Sequence, residues 1–364
     1  MRTFAVVATA VLLAACGGGG GGSEGGSLAA SNTPVSVAPG SSAPEEDAAS
    51  SSEDAVEAGG LTQTTSPVPA SAVTAGRSTD LPALQAAVLQ TLQAERRRCG
   101  FSLLVRDANL DQAAVNHGLY LANEYANGRK GSHAEAPGST GFTGETASAR
   151  AKAVGYAPRT VGEAFAHSNL DATDAAIARA PTPTDRAVSH TEFLLSTVYH
   201  MQALLLPRAD LGVGYAEQRG ADVFTQVTVM EFGAKTGVPN TVQSDVLTYP
   251  CEGTTAVRPS FTPSKETPNP MPSTGDGTVG TPLYIRAPEG SVLALTSSSV
   301  TASDGNAVAT TVLNSTNDPE KRLTQAQIFV VPQSALIKGK SYQVNFNGTV
   351  DGKAFNRTFS FTPN

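Results

Sequence analysis

Large apolar side chains return at Leu84, Val88 and Leu92, a helical spacing. Asp80 is placed to cap the start, Pro82 sits in the first turn and Gly100 follows Arg98, so the pattern predicts a helix over 81–98. The same period predicts a second helix over 109–127, with Leu110, Ala114, His117 and Leu121 on one stripe and Gly128 as its stop. A small-residue-rich helix is expected over 143–154, ending at Gly155, and a fourth over 162–180. A fifth, over 189–205, turns Phe193, Thr197, His200, Met201 and Leu204 one way and ends before Pro207. The period then changes to two. Strands are expected over 211–216 and over 222–232, where Val223, Thr225, Val227 and Val229 alternate with Phe224, Gln226, Thr228 and Met230. Helices first and strands last predict an α+β layered domain.

From residue 281 onward the chain reads as short β-rich runs separated by polar turn residues. The clearest is a terminal hairpin: Tyr342, Val344 and Phe346 alternate with polar residues, Asp351-Gly352 supplies a two-residue turn, and Phe355, Phe359 and Phe361 return. This predicts an all-β immunoglobulin-like sandwich without the Cys and Trp hallmarks of antibody domains. Two stretches hold few large apolar residues. Residues 17–77 are dominated by Gly, Ser and Ala, and residues 253–277 by Pro, Thr and Ser. Neither composition offers enough apolar surface to offset ordering entropy, so both are expected as linkers. The expected organisation is a signal segment at 1–16, a tether at 17–77, a first domain at 78–252, a linker at 253–277 and a β-sandwich at 278–364.

Charge removes one class of function. The formal net charge is −7 and the one basic run, Arg96-Arg97-Arg98, falls at the polar end of a helix, so no nucleic-acid partner is expected. The N-terminus points to the membrane instead. Arg2, the apolar stretch 4–15 and the run Leu13-Ala14-Ala15-Cys16 followed by Gly17 resemble the lipobox of bacterial lipoproteins. That resemblance implies cleavage before Cys16, acylation of Cys16 and two-chain anchoring to a membrane. Gly17 is not an acidic inner-membrane retention residue, so the outer membrane of the cell envelope is implied, facing either way. Export puts Cys99 and Cys251 in an oxidising compartment. Each stands at a border of the first domain, and a bridge between them would close nearly all of it, contributing about 4 to 5 kcal/mol in the chain-entropy model.

Only five histidines occur, and two sit where a site is expected. His133 lies in a polar loop, in Gly131-Ser132-His133-Ala134-Glu135, and His200 lies on the fifth helix. Glu163 stands between them at the start of the fourth helix, where the helix dipole favours a carboxylate. Together they offer three N/O ligands and an open position, the composition of a catalytic zinc site, and the same groups suit general acid–base work. His117 reads as a partly buried helix residue, and His167 and His190 as surface or capping residues. The chain holds no His-Glu-x-x-His helix and no phosphate-binding glycine loop.

Several short runs resemble, in the right order, the bacterial SCP-like form of the CAP superfamily (cysteine-rich secretory, antigen 5 and pathogenesis-related 1 proteins). They are Leu104-Val105-Arg106-Asp107-Ala108-Asn109-Leu110, Gly131-Ser132-His133, Arg150-Ala151-Lys152-Ala153-Val154-Gly155-Tyr156, Val161-Gly162-Glu163, and Tyr199-His200-Met201-Gln202 with Leu211-Gly212-Val213-Gly214-Tyr215. The resemblance covers residues 81–233. It implies an α-β-α sandwich with a cleft lined by two histidines, here His133 and His200, and by Glu163, which in some members hold a divalent metal, zinc being the first choice. The family's other acidic position is poorly matched: Gly138 stands near it, with Glu135 and Glu145 as nearby substitutes. The expected function is an extracytoplasmic binding module for a lipid, cell-wall or protein ligand. The alternative is a metal-assisted hydrolase, a peptidase, esterase or cell-wall-cleaving enzyme, using the same cleft.

Overall fold

The computed structural model describes residues 77, 79–238, 243–255 and 257–364. The expected signal segment with Cys16, and the tether apart from Arg77, lie outside the described residues. In chain order the first part comprises α1 (Leu81–Arg98), β1 (Val105–Arg106), α2 (Ala108–Ala126), α3 (Ala147–Ala153), β2 (Pro158–Asp171), α4 (Asp174–Arg179), α5 (Pro183–Leu194), α6 (Val198–Leu205), β3 (Asp210–Arg219) and β4 (Val223–Lys235). Its sheet has the order β1-β3-β4-β2, with β1 parallel to β3 and the other pairs antiparallel. Helices cover both faces. Leu211, Val213 and Tyr215 of β3 join Leu84, Val88 and Leu92 of α1, Leu194 of α5 and Met201 and Leu204 of α6 in one buried cluster. On the opposite face α2 lies directly on backbone, because β3 places Gly212 and Gly214 there. A Cβ added at Gly214 would stand 2.2 Å from the carbonyl carbon of Ala114. The first part is thus a layered α+β domain, as the order of helices and strands along the chain predicts.

Two helix expectations are corrected. Residues 162–180 do not form one helix: β2 runs to Asp171 and only the short α4 follows. Val161, Glu163, Phe165 and His167 alternate with Gly162, Ala164, Ala166 and Ser168, a period of two that the small residues disguise. Pairing with β4 along the whole strand decides the matter. The expected fifth helix is broken into α5 and α6. Thr197 makes no side-chain cap on α6; the buried carboxylate of Glu266 takes that place, accepting from the N–H groups of Val198 at 2.9 Å, Tyr199 at 2.7 Å and His200 at 3.0 Å. At the other end of α6, the buried guanidinium of Arg96 donates to the carbonyls of Leu204 and Leu206, filling two of the acceptors a helix C-terminus leaves open.

The second part holds β5 (Leu247–Tyr249), β6 (Ser260–Phe261), β7 (Val279–Gly280), β8 (Leu283–Arg286), β9 (Leu293–Ala302), β10 (Thr310–Asn314), β11 (Gln327–Pro332), β12 (Tyr342–Val350) and β13 (Lys353–Phe361). Two sheets, β10-β11-β8-β5 and β13-β12-β9, share a core of Ile285, Ile328 and Val330 against Val344, Phe346, Phe359 and Phe361. The Asp351-Gly352 turn forms where expected, with φ of 48° and 78°. The other face of the first sheet is buried too. Tyr284, Phe329 and Val331 belong to the same cluster as α1 and α6. Residues 253–277, expected as a linker, lie against that shared core: β6 pairs with β7, Phe261 is buried, and Glu266 caps α6. A Pro/Thr/Ser composition measures how few large apolar groups a segment has, and one phenyl ring, one carboxylate and a short ladder suffice here to tie it down. Cys99 and Cys251 form the expected disulfide, with Cα atoms 5.5 Å apart and a sequence separation of 152. Arg77, the last residue of the expected tether, is also held, donating to Glu217 and to the carbonyls of Ala180 and Pro181.

Candidate functional site

Antiparallel pairing of β2 with β4 sets Glu163 opposite Glu231, and both side chains point to the face covered by α2 and α3. Three elements close over them. His117 comes down from α2, Arg150 from α3, and His133 and Glu135 from the loop after α2. Glu163 Oε1 lies 2.7 Å from His133 Nδ1 and 3.3 Å from His117 Nε2, while its other oxygen accepts from Arg150. His117 Nδ1 lies 2.9 Å from Glu135 Oε1. Glu135 also accepts from the N–H groups of Thr143 and Gly144, so the loop is folded around this carboxylate. Arg150 donates to the carbonyls of His133 at 3.0 Å and Gly144 at 3.3 Å, and its nitrogens stand 3.8 Å from both Glu135 and Glu231.

Five of these six side chains are shut away from water, Glu163 being only 2 % exposed, whereas the His133 ring is 39 % exposed. The two facing glutamates are driven apart. Burial alone would raise Glu163, but the charges of His117 and Arg150 beside it win and hold it well below the usual carboxylate range. Burial pushes Glu231 well above that range, and the neighbouring Glu163 charge adds to the effect against the pull of Arg150. No side-chain or backbone N–H donates to either Glu231 oxygen, so no hydrogen bond offsets that penalty. For His117, burial opposes the charged ring, yet Glu163 and Glu135 on its two nitrogens outweigh it and its pKa is raised.

His133 and Glu163 are therefore brought together. His200 is not with them. It sits on α6, which packs on the other face of the sheet, and its Nδ1 lies 2.9 Å from Glu266 and 3.0 Å from Thr197 Oγ1. Glu135 belongs to the cluster through His117. Glu145 is exposed and contributes only a backbone carbonyl, which accepts from the Glu135 N–H. The sequence reading missed His117, Arg150 and Glu231 as members. Glu231 carried a usable signal: it is the one acid inside β4, whose other residues are uncharged apart from the terminal Lys235. Glu163 sits mid-strand, held by cationic side chains in place of the expected helix dipole. His190 is a core residue, its nitrogens bonded to Ser168 and Thr228 at 2.9 Å each, and burial pushes it down to about 3.

A zinc ion needs imidazole and carboxylate lone pairs aimed at one empty point about 2 Å away. Here Glu163 directs its oxygens at two imidazoles and a guanidinium, and Glu135 directs its own at His117 and two backbone amides. The residues present, in this arrangement, do not fit the metal. Among the described residues no group of three or more His, Cys, Asp or Glu is placed to hold one.

The fold and cluster define a three-layer α-β-α domain with a buried His/Glu/Arg network under one accessible imidazole. No family model matches the chain, and no curated protein matches it. Among solved structures it is similar to an extracellular protein containing an SCP domain from Bacillus anthracis str. Ames, at 18% identity over 44% of this chain and 45% of that one, with a TM-score of 0.29. This chain thus spans less than half of that protein, and a likeness so slight carries no weight for fold or function.

Proposed function

We propose that the chain is a cell-envelope lipoprotein of CAP type, anchored to the outer membrane through acylated Cys16. In this reading an SCP-like domain and an immunoglobulin-like domain are presented at the end of the tether. The SCP-like domain binds a lipid, cell-wall or protein ligand where His133 reaches solvent. One observation carries the reading: of the six clustered side chains His133 alone is accessible, and its Nδ1 is tied 2.7 Å from Glu163, so the rest of the ring is presented in a set orientation. Five buried side chains that hold one exposed imidazole are an expensive arrangement for a surface with no ligand. The hydrolase reading draws on the same pair, since an imidazole oriented by a buried carboxylate is the arrangement of a general base.

The test uses the full mature chain with two probes, peptidoglycan sacculi and vesicles of phosphatidylethanolamine with phosphatidylglycerol. Wild-type protein freed of its acyl chains should cosediment with one of them, and His133→Ala should lose at least about tenfold in affinity, the factor that about 1.4 kcal/mol represents. Equal binding by both proteins removes His133 from the site. Release of cleaved products by the wild type but not by the variant would favour the hydrolase. In cells, labelled palmitate should enter the wild type and not Cys16→Ser; an unlabelled, soluble wild type would sink the lipoprotein reading.

A further inference from the structure

We propose that this cleft carries its own cation: the Arg150 guanidinium fills the space between Glu135, Glu163 and Glu231 that a divalent metal would take. The native site then works without metal, and deleting the guanidinium turns the cavity into a metal site. The inference rests on the geometry of the buried network alone, independently of any ligand at His133.

Three carboxylates cannot be buried together without a positive charge among them, because their desolvation and mutual repulsion far exceed what a fold can absorb. Arg150 supplies that charge, and both of its terminal amino groups are held by hydrogen bonds. One amino group is bonded to Glu163 and stands 3.8 Å from Glu231, the Nε is 3.8 Å from Glu135, and the other amino group is held by the His133 and Gly144 carbonyls. The side chain is wholly buried, so it is no handle for an external ligand. His117 turns its two nitrogens to two different carboxylates, Glu135 at 2.9 Å and Glu163 at 3.3 Å. The place between the carboxylates that an external cation would take is thus already filled by the guanidinium.

The donors a metal would use are nevertheless all in place. Both oxygens of Glu231 are buried and without a hydrogen-bond partner, His117 Nε2 likewise lacks a hydrogen bond, and Glu163 and Glu135 border the same guanidinium. Removing Arg150 leaves three carboxylates and an imidazole around a space of guanidinium size, with no cation in it. Oxygen and nitrogen donors in that number are what a first-row divalent ion takes.

Cobalt(II) serves as the probe, because its visible bands report direct ligation. Titration of the full-length wild type should show no stoichiometric uptake in calorimetry and no ligand-field bands, and dialysis against chelator should leave its Tm unchanged. Arg150→Gln and Arg150→Ala should each gain one equivalent of cobalt with visible bands, and Arg150→Ala combined with Glu163→Gln should lose it again. The proposal is overturned if the wild type takes up one equivalent whose bands vanish in His133→Ala or Glu163→Gln. It is equally overturned if an Arg150 variant with native circular dichroism binds no cobalt. Should neither Arg150 variant fold, the wild-type titration with its His133→Ala control still decides, uptake at the cluster refuting a resident cation and its lack sustaining one.

Discussion

Glu163 and Glu231 are the same residue type on neighbouring strands, pointing the same way, yet the first is held well below the usual carboxylate range and the second is pushed well above it. The difference is position relative to two cations. Glu163 touches Arg150 and both imidazoles, whereas Glu231 stands 3.8 Å from the guanidinium and takes the repulsion of Glu163 without a hydrogen bond of its own. His117 gains protons on folding. Its contribution to stability is therefore complete below the ordinary histidine value of 6.5 and is lost as pH rises through its higher folded value. Glu231 acts in the same direction from about 4.5 upward, since unfolding releases its proton. His190 acts oppositely, but only between its folded value of about 3 and 6.5, so it does not mask the loss on the alkaline side. Denaturant midpoints should accordingly fall above pH 6.5, with a slope of at most about 1.4 kcal/mol per pH unit for each of these two groups. His117→Gln should flatten the slope, with Glu231→Gln as the control for the other group. An unchanged slope in both variants would place the proton elsewhere.

At the scale of elements, α1 was legible residue by residue because its signals are local: Asp80 accepts from the Ala83 N–H at 3.1 Å and the helix ends at Arg98 as the spacing predicts. β2 was not legible, because Ala164 and Ala166 satisfy a helical and an extended pattern equally and only the neighbouring strand chooses. α6 depends on distant chain for its start, since Glu266, 66 residues beyond His200, provides the cap. The seat of α2 is set by two residues of β3. Gly214→Ala would bring a methyl group within 2.2 Å of α2 backbone, which cannot move aside as a side chain can. We expect a loss of about 1–3 kcal/mol in urea denaturation, as for other overpacked sites, with the His133–Glu163 geometry disturbed as well. A variant as stable as the wild type would mean that α2 does not rest on this strip.

The molecule as a whole divides less sharply than its composition. One buried cluster runs from Leu84 and Met201 to Tyr284 and Phe329, and polar contacts reinforce the border, with Tyr199 bonded to Asp318 and Gln202 to Gln327 at 2.8 Å. Unfolding of residues 77–364 should therefore give one calorimetric transition, and proteases should spare the stretch 259–277. Two separated transitions would show that the parts melt independently. Reduction of Cys99–Cys251, a bridge across a sequence separation of 152, should lower stability by up to about 5 kcal/mol if the chain-entropy account holds. Loss of well under about 1 kcal/mol would mean that the reduced chain is still held together by the shared core.

What the sequence by itself determined was whatever depends on near neighbours and on simple counts. These were the limits of α1 and α2, the terminal hairpin with its Asp351-Gly352 turn, and the pairing of the two internal cysteines. The tertiary structure decided what depends on partners far away in the chain. It made a strand of residues 158–171, broke the fifth helix and recruited Glu266 to its new end. It also drew His200 off to that carboxylate and assembled His117, Arg150 and Glu231 around Glu163. The physical reason is the same in each case. A buried charge or a strand edge has no stable state of its own, and its neighbours across space, which the order of residues does not name, determine what it becomes.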